Sequence, residues 1–247
     1  MLMYRGETFY MMIDSHNRFV TRWDKIVVDM YRNAPSPKAV LSHYPEAWHN
    51  PKDKKEVNAA LDNRQTTTYL CDAKFTEYGY VKLNGFVVHK TNKPRQQPWA
   101  AAGFLFAHAN LTREVPFDPY LDYVFDGEEI LYSVRMWTHG WDIFSPNENI
   151  LYHYYYRVGA KRFWDLLPSD WLQRRERAHH RIQWFLGVTK GVNSTERLIP
   201  LDTKEEWVLE EKERYGLRRK RWLAEWYRYA GVDPVMRTFN QGFCGLA

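Results

Sequence analysis

The sequence predicts an α/β fold: a mixed sheet flanked by helices, with a helical extension at the carboxyl end. Three observations predict it. Phe9-Tyr10-Met11-Met12-Ile13 is an unbroken apolar run of strand length, bounded by Gly6-Glu7 and then by polar residues, which suits a strand buried on both faces. Trp23, Ile26, Val27, Met30 and Tyr31 recur at i, i+3, i+4, i+7 and i+8, one face of a helix. Past Arg157 the chain turns helical and basic, with Arg174, Arg175, Arg177 and Arg181 in one segment and Arg218-Arg-Lys-Arg221 in another.

Taken in order, the Trp23 helix ends at Pro35-Ser-Pro37, because the residue before a proline is pushed out of helical geometry. Ala39 to Leu41 is a short strand, Tyr44-Pro45 opens a loop, and Lys52 to Leu61 is a short solvated helix. Thr66 to Leu70 and Tyr80 to His89 are β-rich, and Asn84-Gly85 between apolar flanks predicts a hairpin turn. Thr91 to Gln97 is polar and carries Pro94, which predicts a mobile loop. Trp99-Ala-Ala-Ala-Gly103-Phe-Leu-Phe106 places small residues ahead of a strand. Such residues let a ligand, or a packed helix, approach the backbone closely. Ile130, Leu131, Val134 and Thr138 are at helical spacing, closed by His139-Gly140, so Glu128 and Glu129 sit in the first turn. Trp141 to Ser145 and Ile150 to Tyr154 are strands, and His153 lies in the second.

At 247 residues the chain is one domain, or one domain with an appendage. Apolar residues make up 45%, enough for a sizeable core, and 17% are aromatic, which suits an aromatic core or a sugar- or base-stacking surface. The net charge of +5 is short of a dedicated nucleic-acid protein and compatible with an anionic substrate such as a nucleotide diphosphate. Cys71 and Cys244 leave one disulfide open, although so few cysteines in a chain this long fit an intracellular, cytoplasmic protein. No apolar run reaches membrane-spanning length, no secretory leader is visible, and no membrane partner is expected.

Two constellations carry chemistry. Alternation beyond the Phe9 strand puts Asp14 and His16 on one side with Ser15 opposite, a carboxylate and an imidazole able to chelate one divalent cation. The plain alternative is a polar loop. Glu128 and Glu129 follow Gly127 at a helix start, where carboxylates are also favoured by the helix dipole alone. His179-His180 lacks a chelating spacing. The basic, aromatic carboxyl-terminal segments would suit RNA, but such runs are more often solvated helix faces over an apolar stripe, and the region is assigned to packing and acceptor contacts.

Asp14-Ser-His-Asn-Arg-Phe19 followed by Trp23-Asp24 resembles the metal motif of GlcNAc-type glycosyltransferases acting on hydroxyproline, Ser or Thr in polypeptides, the Skp1 GlcNAc-transferases among them. Ala-Ala-Gly103-Phe, Phe117-Asp-Pro, Gly127-Glu-Glu129, Arg135-Met-Trp-Thr-His-Gly-Trp-Asp142 and His153-Tyr-Tyr-Tyr-Arg157 follow in an order similar to the lower half of a GT-A catalytic domain. Polypeptide GalNAc-transferases have a similar series, with Gly-Glu-Asn in place of Gly-Glu-Glu. The resemblance implies a GT-A-like core over residues 1–157 and a helical, basic region over 158–247 packed on it. It implies Mn2+ or Mg2+ held by Asp14, His16 and His153. Glu128 and Glu129 are implied as catalytic residues, and Ser15, Arg18, Ala102, Gly103 and Arg157 as substrate contacts.

The implied activity is transfer of a sugar, GlcNAc by resemblance, from a UDP-sugar to a protein or peptide hydroxyl with retention. Family members carry a nucleotide-binding portion ahead of Asp-Ser-His that this sequence lacks. That leaves a second chain supplying it, or an inactive truncated relative, as alternatives to a complete enzyme. A basic RNA-binding module is a third reading, and nucleic acid is otherwise not an expected partner.

Overall fold

A computed structural model of the chain describes residues 4–48, 64–155, 159, 161, 163–188 and 204–244. The predicted Lys52 to Leu61 helix lies outside the described residues.

The strands are β1 (Phe9–Ile13), β2 (Asn17–Phe19), β3 (Ala39–Ser42), β4 (Glu46–Ala47), β5 (Thr66–Phe75), β6 (Val81–His89), β7 (Arg95–Gln96), β8 (Phe104–His108), β9 (Asp142–Ser145), β10 (Leu151–His153), β11 (Val232–Asp233) and β12 (Thr238–Phe239). The helices longer than one turn among the described residues are α1 (Trp23–Asn33), α2 (Glu128–Thr138), α3 (Trp171–Leu186) and α4 (Leu223–Ala230).

The main sheet runs β1-β8-β3-β9-β7 and is mixed: β8 is antiparallel to both β1 and β3, and β3 is parallel to β9. Strand alternation sorts its side chains. Leu41, Phe104, Phe106 and Phe144 pack with Val27 and Met30 of α1 on one face. Val40, Leu105, Ala107 and Ile143 pack with Tyr132 and Met136 of α2 on the other. This two-sided burial is why the strands read as near-continuous apolar runs. A third apolar cluster ties α2 to the β5–β6 hairpin and to Ile182 of α3 and Trp226 of α4. No helix among the described residues is long and apolar enough to cross a membrane.

The expected α/β architecture is present, with local corrections. β1 is, among the described residues, an edge strand rather than a fully buried one: Phe9 and Met11 pack toward the α1 side, Tyr10 and Met12 toward the α2 side, and all are half-buried. Asn84 and Gly85 are not a turn. They lie inside β6, where Asn84 faces Asp72 across a bulge, and the chain reverses instead between Thr76 and Tyr80. A Cβ on Gly85 would fall 2.8 Å from the Thr68 methyl, so close strand packing is what requires glycine there. The expected mobile loop from Thr91 contains β7, and its Gln97 is buried, bonding Leu70 N, Ser42 O and Trp99 O. Cys71 and Cys244 form a disulfide that pins the carboxyl-terminal segment to β5. Disulfides persist in oxidising compartments, so the cysteine count no longer argues for a cytoplasmic protein.

Candidate functional site

β1 ends at Ile13, and Asp14-Ser15-His16 forms a turn before β2. His16 has φ +66°, a left-handed conformation. The strand alternation expected for Asp14 and His16 therefore stops at Ile13, and the turn brings the two together instead. Asp14 N bonds Gly103 O at 3.3 Å, tying the turn to the loop before β8. The Asn17 side chain caps the turn by donating to Asp14 O. β10 then pairs with β2 in a register that sets His153 opposite Asn17. His153 Nε2 consequently lies 3.9 Å from Asp14 Oδ2, and the His16 ring centroid lies 6.5 Å from that of His153. Tyr155 packs on the His153 ring at 4.3 Å.

Two oxygen or nitrogen ligands on one small divalent ion sit about 3 Å apart, given bond lengths near 2.0–2.2 Å. No group of three such side chains is preformed among the described residues. Asp14 is half exposed and His16 is exposed, so rotation of either side chain can close the remaining gap onto the buried His153. One carboxylate with two imidazoles is a donor set that suits a first-row divalent ion. The residues present thus fit such an ion.

Beside this turn runs Ala100-Ala101-Ala102-Gly103, whose backbone is held by side chains. Ala100 N donates to Ser133 Oγ, Ala101 N to Ser42 Oγ and Ala102 N to Glu129 Oε1, all at 2.7–2.9 Å. That stapling brings α2 against the segment and explains its small residues. Gly127 precedes α2 with φ +121°, and a Cβ there would strike Tyr80 Oη at 2.7 Å, so only glycine starts this helix here.

The two glutamates have different surroundings. Glu129 has both oxygens committed, Oε1 to Ala102 N and Oε2 to the Tyr44 hydroxyl. Burial raises its pKa while these two hydrogen bonds oppose the rise. Glu128 Oε2 is buried with no hydrogen-bond partner among the described residues. Burial first, and the charge of Glu129 second, push the Glu128 carboxyl up to about 8. Both line a cavity of ≈ 330 Å³ together with Met12, Ala102, Leu131 and Arg135.

The other sequence candidates fare unevenly. Ser15 Oγ bonds His16 Nδ1 at 2.8 Å, so it orients the imidazole. The Arg18 guanidinium lies over the Trp48 ring at 5.1 Å. Arg157 lies outside the described residues. Arg181, in the basic segment, is buried and paired with Asp118 at 2.8 Å rather than solvated. His179 is packed, stacked on Tyr78 and bonded to the Tyr80 hydroxyl. Tyr44 and Arg135 escaped the sequence reading. For Arg135 a signal existed: a charge in the apolar stripe of α2, four residues after Leu131.

The mixed α/β domain thus carries a carboxylate–imidazole cluster at a strand end and, separately, a cavity lined by Ala102 and the two glutamates. The family model described as Glycosyltransferase (GlcNAc) matches residues 1–236, and the chain belongs to that family. No curated protein matches the chain. Among solved structures it is similar to the one described as "Crystal structure of GalNAc-T7 with UDP, GalNAc and Mn2+". The match has TM-score 0.49 and 13% identity over 90% of this chain and 40% of that one. The chain therefore spans less than half the length of that neighbour.

Proposed function

We propose that this chain is a metal-dependent, GT-A-like glycosyltransferase that moves a sugar, GlcNAc by family, from a UDP-sugar to a protein hydroxyl with retention. The observation that carries the reading is convergence: Asp14, His16 and His153 come from a turn and a distant strand, yet gather beside the stapled Ala102–Gly103 backbone. On this reading those three side chains hold Mn2+ or Mg2+. When bound, the ion supplies positive charge for the departing diphosphate.

The remaining work falls to the chain's own residues. Ser15 holds the His16 ring in place through its hydroxyl. Glu129 holds the Ala102 backbone at a set distance from α2, so the wall along which a sugar would lie is rigid. Glu128, with a carboxyl pushed up to about 8 and an Oε2 that has no hydrogen-bond partner among the described residues, is the group able to donate a hydrogen bond to, or take a proton from, a hydroxyl entering the cavity.

The test is release of UDP from a panel of UDP-sugars by the purified chain, with and without Mn2+. Metal-dependent release from one sugar supports the reading. No release from any member, with or without an acceptor peptide, rejects it.

A further inference from the structure

The cavity beside Glu128 is a slot along one face of α2. Glu128 stands at one end, Leu131 and Tyr132 in the middle and Arg135 at the other. Glu128 and Arg135 are seven residue steps apart on the helix, a rise of about 10 Å. Between them the walls are mostly apolar, from Met12, Phe117, Leu121, Leu131 and Tyr132, with Glu129 and Asp118, both already hydrogen-bonded, also on the lining.

Arg135 is 1% exposed, and its Nε and Nη2, both buried, have no hydrogen-bond partner among the described residues, so a ligand reaches them on a shift of the side chain within the slot. These two N–H groups lie side by side on one edge of the guanidinium, the edge whose parallel donors match the two oxygens of a carboxylate. Asp118, the acid nearest in charge and position, is already committed. Its Oδ2 accepts from Arg181 Nε at 2.8 Å, and its Oδ1 accepts from Tyr120 N at 3.0 Å. Arg181 is also 1% exposed and holds Asp118, so no hydrogen bond from Asp118 reaches the Nε or Nη2 of Arg135. A buried guanidinium with unpaired donors is costly, and an anion that accepts from them removes that cost. Burial lowers the Arg135 pKa only to about 10, so the group stays charged at neutral pH.

We propose that this slot binds an organic acid with an apolar body, its carboxylate received by the Nε–Nη2 edge of Arg135. A phosphate fits less well, because its further oxygens and second charge would face the apolar walls. The Glu128 end has its own orphaned oxygen, so the ligand best matched to both ends carries a hydroxyl opposite the carboxylate. The inference goes beyond the transferase reading and does not need it. If that reading holds, the hydroxyl end would lie at the acceptor position beside Glu128.

Hydroxyphenylpropanoate and its uncharged primary amide test the proposal, each titrated against the purified chain with neither metal nor nucleotide present. The acid should raise the melting temperature in a dose-dependent way, and bind at least about tenfold more tightly than the amide. Arg135→Met should erase that preference. Because the variant can fail to fold, crystals of the unaltered chain grown with the acid provide a second reading, with the carboxylate expected on Nε and Nη2 of Arg135. Equal binding of acid and amide, binding of neither, or a carboxylate seated elsewhere overturns the proposal. Since no sugar nucleotide is present, none of these outcomes depends on whether the chain transfers sugar.

Discussion

The two ends of the candidate site are built in opposite ways. At the strand end, Asp14 and His16 are exposed on a turn, and only His153 is buried. Their polar groups stay solvated, so this end costs the fold little, and on the proposed function it would be completed by the ion. At the α2 end, Glu128, Glu129 and Arg135 are largely removed from water before any ligand arrives. That end is preorganised and stores an energetic cost: a raised carboxyl, a second carboxylate held by two bonds, and a guanidinium with free donors. Preorganised polar groups in a dry pocket act strongly on whatever charge develops beside them, at the expense of stability. Substitutions at the strand end should therefore change function and leave stability alone, whereas substitutions at the α2 end should change both.

The sharpest break between the two ends is Asp14→Ala. It should lower metal-dependent UDP release by about 10²–10³-fold, the scale for loss of charge stabilisation at a leaving group. The thermal melt should not move, because the carboxylate is half exposed. Release kinetics and circular dichroism measure the two sides, and full activity in the folded variant removes Asp14 from the site.

Glu128→Gln comes next. Turnover should fall by about 10²-fold, the low end for a lost acid–base group. Stability should respond with pH in a set direction. In the unfolded chain this carboxyl ionises near 4.5, whereas in the folded chain it holds its proton to about 8. Between those values the unfolded state sheds a proton that the folded state keeps, so this group's contribution lowers stability as pH rises and levels off above about 8. Asp126, Glu129, Lys82, Tyr44 and Tyr80 are the charged and titratable groups facing it. Glu128→Gln should thus melt higher than the unaltered chain at alkaline pH and nearly the same at pH near 4. An identical difference at both pH values contradicts a carboxyl raised by burial and by the charge of Glu129.

Tyr44→Phe removes one of the two donors that hold Glu129. Leaving that buried oxygen unsatisfied should cost about 1–3 kcal/mol in a denaturant melt. Turnover should fall less than for Glu128→Gln, because Ala102 N still anchors the carboxylate. The smallest effect is expected at the seam between the ends. A Cβ on Gly103 would sit 3.0 Å from Pro45 Cδ and 3.6 Å from Asp14 Oδ2. Gly103→Ala should raise the Mn2+ concentration needed for half-maximal release by a few-fold, with little change in melting. A loss of stability instead would mean that Gly103 serves packing against Pro45 alone.

Much of the scaffold was legible in the sequence because burial leaves a period. The i, i+3, i+4 spacing from Trp23 and from Ile130 marked α1 and α2, and apolar runs marked β1, β8 and β9. Local chemistry was legible too: Asp14 and His16 stand two residues apart, and Glu128 and Glu129 are adjacent. Relations carried by tertiary structure were not legible. The reach of His153 to Asp14 depends on the pairing of β10 with β2, 130 or more residues apart in the chain. The Asn84-Gly85 turn failed because a bulge opposite it in β5 lets the strand continue. The difference in surroundings between Glu128 and Glu129 is not written in their adjacency, since Glu129 meets Tyr44 from another element while Glu128 Oε2 has no hydrogen-bond partner among the described residues. Periodicity and motif spacing are local properties that a chain displays residue by residue. Which strand lies at the edge, which carboxylate finds a donor and which guanidinium is left with an open edge are decided only when distant segments pack, because packing alone sets which polar groups lose water and which gain partners.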